Sequence, residues 1–190
     1  MKQNGMSLVE MLVILGILII GFAVAGPAIR AYTIESSILG AARIFHGEFL
    51  RARSIAIRSC AQTAIRFERD GDEAWYSTYM DRDGDGVLSD DIEDGTDERI
   101  AGPLPLTGRA PGVTVAVVPG TPCIPPDRCT LDEDPIRFGR SDMLSFSPLG
   151  TASPGTFYLT GQSGLLAAVR VTPGTARVRI LLFNGVWRDR

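Results

Sequence analysis

The sequence has little of what metalloenzymes and nucleic-acid-binding domains use. It contains one lysine, Lys2, and one histidine, His46, in 190 residues, and its net charge is only −3. That balance gives no reason to expect wholesale nucleic-acid binding. The three cysteines and His46 lack the spacing of a zinc site. No nucleophile motif and no glycine-rich phosphate loop occurs, so we expect no enzymatic activity.

Long apolar runs are also scarce, and the main one lies at the N-terminus. Residues 6–29 are apolar with few exceptions, and Glu10 is their only charge. The run meets the roughly 20 residues that a helix needs to cross a bilayer. One interpretation is a secretory signal peptide, with Lys2 before the apolar run and Ala-Val-Ala at 23–25 as the cleavage site. A second interpretation is a plain transmembrane anchor. Neither interpretation explains Glu10, because a carboxylate costs about 3 kcal/mol in hydrocarbon.

The motif around Glu10 offers a third interpretation. The run Gly5-Met6-Ser7-Leu8-Val9-Glu10 resembles the site that prepilin peptidase recognises in type IV pilin-like proteins. The resemblance implies cleavage after Gly5, methylation of Met6, and a Glu10 that pairs with the terminal amine of a neighbouring subunit. Such pairing removes the desolvation penalty of both charges. Pilins usually begin with Phe, whereas Met6 would come first here.

A helical pattern continues beyond the apolar run. Apolar residues recur at spacings of three and four, which is typical of one stripe on a helix: Ile34, Ile38, Ala41, Ala42, Phe45, Phe49, Ala52 and Ala56. The pattern predicts one helix over 7–60, about 80 Å long at about 1.5 Å per residue. Under the pilin interpretation, residues 1–5 are the leader, 6–29 the transmembrane stem, 30–61 the periplasmic part of the same helix, and 62–190 the globular domain.

Short apolar or alternating runs divided by Gly, Pro and Asp follow residue 62. They predict strands at 63–68, 74–80, 113–118, 143–147, 156–160, 165–171 and 176–183. The proline-rich stretch 119–135 predicts a surface loop, and the acidic stretch 90–98 a solvated loop. Many short strands at this spacing favour antiparallel sheets over a βαβ fold. The sequence therefore predicts an α+β fold, in which a long N-terminal helix packs on a sandwich-like antiparallel head.

Two features of this half resemble the C-terminal domain of GspH/FimT-type minor pseudopilins. The first is the run Phe146-Ser147-Pro148-Leu149-Gly150-Thr151-Ala152, followed later by Ala176-Arg177-Val178-Arg179-Ile180. The second is a strand containing Trp and Tyr that leads into an Asp/Gly loop, at residues 75–86. The resemblance implies a structural minor subunit of a type II secretion system or type IV pilus, which helps to initiate or cap a filament. It implies prepilin peptidase and other pilins as partners. It also implies a single pass through the inner membrane, with a cytoplasmic N-terminus and a periplasmic head.

The Asp/Gly loop carries the pattern of a metal site. Asp81, Asp83 and Asp85 alternate along the chain before a glycine, like the start of an EF-hand calcium loop. The twelfth loop position is Ile92 instead of Glu, so Asp90, Asp91 or Glu93 would have to close the site by a different loop path. Calcium is the one cofactor that the sequence suggests. The alternative is a plain glycine-rich turn with its acids in water.

Two further residue pairs are candidates for specific chemistry. If the head is exported, Cys123 and Cys129 are expected to form a disulfide, because a short loop closes readily, and Cys60 stays free. Arg177 and Arg179 alternate on a predicted strand and share a face. Some FimT-type proteins bind DNA through a Gly-Arg-x-Arg motif, so the resemblance gives a DNA-binding pilin for natural transformation as an alternative. Ala176 replaces that Gly and no aromatic ladder is evident, so surface arginines are the favoured interpretation.

Overall fold

The computed structural model describes residues 7–70, 73–106, 108 and 110–190. It begins with one helix, α1 (Leu8–Ser59), which is 52 residues long. The backbone of Ser7 is extended at φ −71°, and its N–H donates a hydrogen bond to Glu10 Oε2 at 3.0 Å, which caps the first turn. The helix ends where Cys60 adopts a left-handed conformation at φ 53°. The helix predicted over 7–60 is confirmed.

The two ends of α1 lie in different surroundings. Apolar side chains of the N-terminal end are exposed, from Leu8 at 76% to Phe22 at 76%, whereas the stripe from Ile38 to Ala56 is buried in the head. Over the described ranges, no helix is long and apolar enough to cross a membrane. The transmembrane stem predicted for 6–29 is therefore not confirmed.

Nine strands in the described part of the chain form two sheets, and every described strand pair is antiparallel. The first sheet has the order β3-β2-β1-β5, with β1 (Thr63–Asp70), β2 (Glu73–Met80), β3 (Glu98–Pro105) and β5 (Met143–Phe146). The second has the order β4-β6-β7-β8-β9, with β4 (Ile136–Arg137), β6 (Gly155–Thr160), β7 (Leu166–Thr172), β8 (Arg177–Phe183) and β9 (Trp187–Asp189). A six-residue helix, α2 (Ser89–Asp94), lies between β2 and β3. The predicted α+β class with antiparallel sheets is confirmed.

One core joins α1 to both sheets. Its helix side is the predicted stripe, of which Phe45 and Phe49 are each 1% exposed. These rings meet Phe67 of β1 and Phe157 of β6, which themselves stack with their ring centroids 5.5 Å apart. Because aromatic side chains bury much area and pack in specific geometries, this cluster fixes the helix on the head.

Some sequence predictions for the head are wrong. Residues 113–118 form no strand, and only Thr114 makes an isolated bridge, to Thr160. β3 was not predicted, since Gly102 and Pro103 interrupt it and its burial does not alternate. The stretch 90–98 is not a plain solvated loop, because it holds most of α2 and a buried Asp97.

The proline-rich loop 119–135 packs on the outer face of the second sheet. Its Ile124 and Leu131 are buried together with Leu166 and Ala168 of β7, whereas the alternate residues of that strand face α1. A disulfide joins Cys123 to Cys129 with a Cα–Cα distance of 5.2 Å, and Cys60 is a free, exposed thiol. The loop therefore buries apolar residues of the second sheet in addition to connecting two parts of the chain.

Candidate functional site

Only part of the predicted N-terminal processing site can be placed. Gly5 and Met6 lie outside the described residues. Glu10 lies in the first turn of α1, exposed, with its carboxylate accepting the Ser7 N–H. The isolated chain therefore gives Glu10 a local hydrogen bond, and pairing with a second subunit stays a prediction.

The acidic loop begins where β2 ends. Asp81 follows Met80, is 8% exposed, and accepts hydrogen bonds from the N–H groups of Gly84 at 2.7 Å and Gly86 at 3.1 Å. Both glycines have positive φ, 96° and 106°, a conformation that costs little only for glycine. The loop folds back so that one carboxylate oxygen each from Asp81, Asp83 and Asp85 lies within 4.8 Å of the others.

The acid predicted as the fourth ligand, Asp90, does not join these three carboxylates. Asp90 lies in α2, and neither Asp90 nor Asp97 is among the acids whose oxygens meet within that distance. Asp97, which sequence reasoning placed in solvent, is 3% exposed and accepts the Leu88 N–H on Oδ2 at 3.2 Å. Its Oδ1, like Oδ2 of Asp91, is buried without a hydrogen-bond partner in the described part of the chain. The sequence gives no local signal for this, because Asp97 is buried by the pairing of β3 with β2.

The carboxylates in this loop destabilise one another's charged forms. Burial raises the pKa of Asp97, and the nearby charges of Asp81 and Asp83 raise it further, against the hydrogen bond from the Leu88 N–H, which lowers it. A side-chain hydrogen bond with Asp83 and burial raise the pKa of Asp85. A raised carboxyl pKa means that the charged form is destabilised. A bound cation would offset that cost.

The loop also borders the end of α1. An open cavity of about 420 Å³ is lined by Cys60, Ala61, Gln62, Pro148 and residues 81–86. Gln62 accepts the Asp81 N–H on its backbone oxygen at 3.0 Å. Because the C-terminal end of a helix carries partial negative charge, this position adds to the negative potential of the acids.

The arginines considered for DNA lie on β8, as predicted. Arg177 is exposed, and Arg179 Nη1 lies 3.6 Å from Asp189 Oδ2 of β9. Arg170 lies directly opposite Arg179 in the β7–β8 register and donates to Asp127 Oδ2 at 2.9 Å. These carboxylates neutralise two of the cations on the face, so the arrangement does not favour a phosphate-binding surface.

Comparison with known proteins gives a distant likeness. No family model matches the chain, and no curated protein matches it. Among solved structures it is similar to the minor pseudopilin EPSH from the type II secretion system of Vibrio cholerae. That likeness has 14% sequence identity and a TM-score of 0.37, over 83% of this chain and 94% of the other. A likeness at this level establishes neither a family nor a function, so the function must be argued from the residues of this chain.

Proposed function

We propose that the chain is a structural pilin-like subunit of the GspH/FimT type, which is cut after Gly5 and enters a filament through the exposed end of α1. The filament would belong to a type II secretion system or a type IV pilus, and the subunit would help to initiate or cap it. One observation carries the proposal: the C-terminal half of α1 is part of the head core, and its N-terminal end presents apolar side chains to solvent.

That apolar end needs a cover. Large apolar side chains are exposed at most positions from Leu8 to Phe22. A continuous exposed apolar surface of this kind marks a membrane or protein contact. In the proposal, the inner membrane covers it before assembly and the stems of other pilins cover it in the filament. No helix within the described ranges is long and apolar enough to cross a membrane, so membrane insertion of this end stays a proposal.

The N-terminal motif supplies the route to assembly. Cleavage after Gly5 by prepilin peptidase would make Met6 the N-terminal residue, four positions before Glu10 in the sequence. Glu10 then provides a carboxylate for the amine of a neighbouring subunit. The Cys123–Cys129 disulfide is compatible with a periplasmic head, since disulfides persist in oxidising compartments, and the N-terminus would lie in the cytoplasm.

The direct test is the intact mass of the chain isolated from its native host membrane. The proposal expects loss of residues 1–5 and a methylated Met6. Gly5→Leu should block that cleavage. Ala25→Leu, which would block a signal peptidase acting after Ala25, should leave it unchanged. A mature N-terminus at Gly26, lost in Ala25→Leu, would refute the pilin proposal in favour of a signal peptide.

DNA uptake stays a prediction without structural support. Arg179 is already paired with Asp189, and no observation on β8 favours nucleic acid over water around Arg177. We therefore propose no DNA-binding function.

A further inference from the structure

Three arginines lie in one row across the outer face of the second sheet. The strand registers place Thr156 opposite both Arg137 of β4 and Arg170 of β7, and they place Arg170 opposite Arg179 of β8. Directly opposed residues have Cβ atoms about 4.5–5.5 Å apart, and like charges in such positions destabilise a sheet. The fold therefore holds Arg170 and Arg179 side by side against their mutual repulsion.

This row forms one side of a cavity beneath the loop 119–135. All four of its residues line a cavity of about 430 Å³, whose other walls include proline and the disulfide: Cys123, Pro125, Pro126, Cys129, Pro154 and Pro173. Arg170 Nη1 donates a hydrogen bond to the Ile124 carbonyl oxygen at 3.2 Å, which helps to hold the loop over the sheet. A cavity of this size with apolar walls and a few convergent polar groups is typical of a ligand site.

The carboxylates that pair with two of these arginines leave donors unused. Asp127, which accepts from Arg170, has a side chain 52% exposed against 22% for the arginine, so it lies nearer to solvent. Arg179 Nη1 is 3.6 Å from Asp189 Oδ2, which is longer than a hydrogen bond. Nε of Arg179 is buried and has no hydrogen-bond partner within the described ranges. Because an unsatisfied buried N–H is costly, a ligand oxygen that accepts from Arg179 would be stabilising.

The surroundings favour a singly charged carboxylate as that ligand. A guanidinium donates two parallel N–H···O bonds to a carboxylate. Asp127 is a fixed negative charge in the cavity wall, and it repels a doubly charged phosphate more than a carboxylate. Burial raises the pKa of the Tyr158 hydroxyl in the same wall, so this group stays protonated and adds no negative charge at neutral pH. The proline walls offer an apolar surface to the peptide groups beside such a carboxylate.

We propose that this cavity binds a carboxylate group of a protein partner, with Arg179 and Arg170 as its hydrogen-bond donors. The carboxylate would belong to an acidic side chain or to the C-terminal end of the partner, since both offer the same group. Rotation of Arg179 away from Asp189 would let Nε and one Nη donate to it together. The inference is independent of the filament proposal, because it concerns only the outer face of the second sheet and the loop that covers it.

Carboxylate binding is tested on the full-length chain in detergent micelles at about 0.1 M NaCl, which screens charges beyond about 10 Å. The probes are short alanine peptides. One has blocked ends and a central glutamate, the second has glutamine at that position, and the third has no acidic side chain but a free C-terminal carboxylate. Calorimetry should give saturable binding of the first or the third peptide with a Kd of about 1 mM, and no binding of the second. The peptide that binds identifies the source of the carboxylate.

Matched variants separate a site from diffuse charge. Arg179→Gln should weaken binding at least about tenfold, and Arg179→Lys, which keeps the charge without the planar fork, at least about threefold. Arg177→Gln removes an exposed charge from the same strand, outside the cavity lining, and should weaken binding less than about twofold. Asp127→Asn should strengthen binding, because it releases Arg170 from its ion pair. None of these side chains is part of the apolar core, so an unchanged Tm should show that the fold is retained.

Several results would overturn the carboxylate site. Equal binding of the glutamine peptide would show that the cavity does not recognise a carboxylate. Tighter binding of inorganic phosphate or of a single-stranded oligonucleotide would indicate a phosphate site instead. Equal losses in Arg177→Gln and Arg179→Gln would indicate diffuse attraction of anions, and weaker binding in Asp127→Asn would contradict competition for Arg170. The absence of saturable binding by both carboxylate peptides up to about 10 mM would also refute the proposal.

Discussion

The ring of Phe45 in α1 lies with its centroid 4.5 Å from that of Phe157 in β6, tilted by 47°. One turn further along α1, Phe49 packs edge-on against Phe67 of β1 and Phe138, at 6.3 and 5.8 Å. The helix thus reaches both sheets through two neighbouring aromatic side chains. Its C-terminal half is a component of the head core, so the head and this part of the helix should unfold together.

Phe49→Ala should destabilise the head strongly. The side chain is 1% exposed, and truncating a buried Phe typically costs about 3–5 kcal/mol through lost burial and the cavity left behind. Leu50→Ala is the matched control, because Leu50 is the next residue on α1 and is 39% exposed. It should change stability by at most about 1 kcal/mol. Urea unfolding monitored by circular dichroism measures both, and equal effects would show that Phe49 is not a core contact.

The parts of the fold that were predictable are those with a local period. The stripe from Ile38 to Ala56 repeats at helical spacing, so it indicated both the helix and its buried face. β3 could not be recognised, because Gly102 and Pro103 break any strand pattern and its place depends on pairing with β2. The run 113–118 alternates like a strand, yet within it only Thr114 makes a β-bridge.

At the acidic loop, too, residues with a local sequence pattern were predictable and those positioned by strand pairing were not. Asp81, Asp83 and Asp85 were recognisable because their spacing is itself the signal. Asp97 was not, because the β2–β3 register places it beside Asp81 although sixteen positions separate them in the chain. The prediction of Asp90 rested on sequence proximity, whereas the structure holds Asp90 in α2, outside the group formed by the oxygens of Asp81, Asp83 and Asp85.

Gly155→Ala should destabilise the second sheet although its backbone conformation suits any residue. A Cβ at this position would lie 2.2 Å from Phe138 Cδ1 and 2.4 Å from the Arg137 carbonyl oxygen. Since the carbonyl belongs to the β4 backbone, relief requires β4 to move, at a cost of about 1–3 kcal/mol or more. Gly174→Ala is the control, because nothing lies within 4 Å of its Cβ position. Thermal unfolding should show a lower Tm for Gly155→Ala alone; similar Tm values would contradict the close contact.

Peptide mapping without reduction should find Cys123 joined to Cys129 and Cys60 reactive toward iodoacetamide. The two bonded cysteines are separated by six positions, so their loop closes at small entropic cost. Cys123→Ser/Cys129→Ser should lower stability by about 2 kcal/mol, because the open loop gains freedom in the unfolded chain. Cys60→Ser is the control and should have little effect. A mapped linkage from Cys60 to either partner would contradict the arrangement.

DNA binding, if measured by gel shift, should be weak and should vanish on raising salt, because phosphate contacts alone would drive it. Arg177→Ala/Arg179→Ala should then reduce the shift no more than Arg58→Ala, which removes an exposed arginine from α1. A shift that survives moderate salt and is lost only in the double variant would favour a DNA-binding pilin.

Substitutions at Glu10 distinguish filament assembly from membrane anchoring. A lone carboxylate costs about 3 kcal/mol in hydrocarbon, which the apolar residues around it outweigh, so Glu10→Val should reach the membrane fraction and be cleaved. It should enter sheared filaments poorly, because it cannot pair with a neighbouring amine. Poor incorporation into filaments would have a second possible cause, because valine also cannot accept the hydrogen bond from the Ser7 N–H that caps the helix.

Glu10→Gln distinguishes the two causes. Glutamine keeps an oxygen that can accept the Ser7 N–H, as in a capping box, but it carries no charge. If charge pairing drives assembly, Glu10→Gln should be as deficient in filaments as Glu10→Val, at equal amounts in the membrane fraction. If the cap matters instead, Gln should restore incorporation. A Glu10→Val chain that enters filaments as well as wild type would contradict both roles for this residue, because each requires the oxygen that Val lacks.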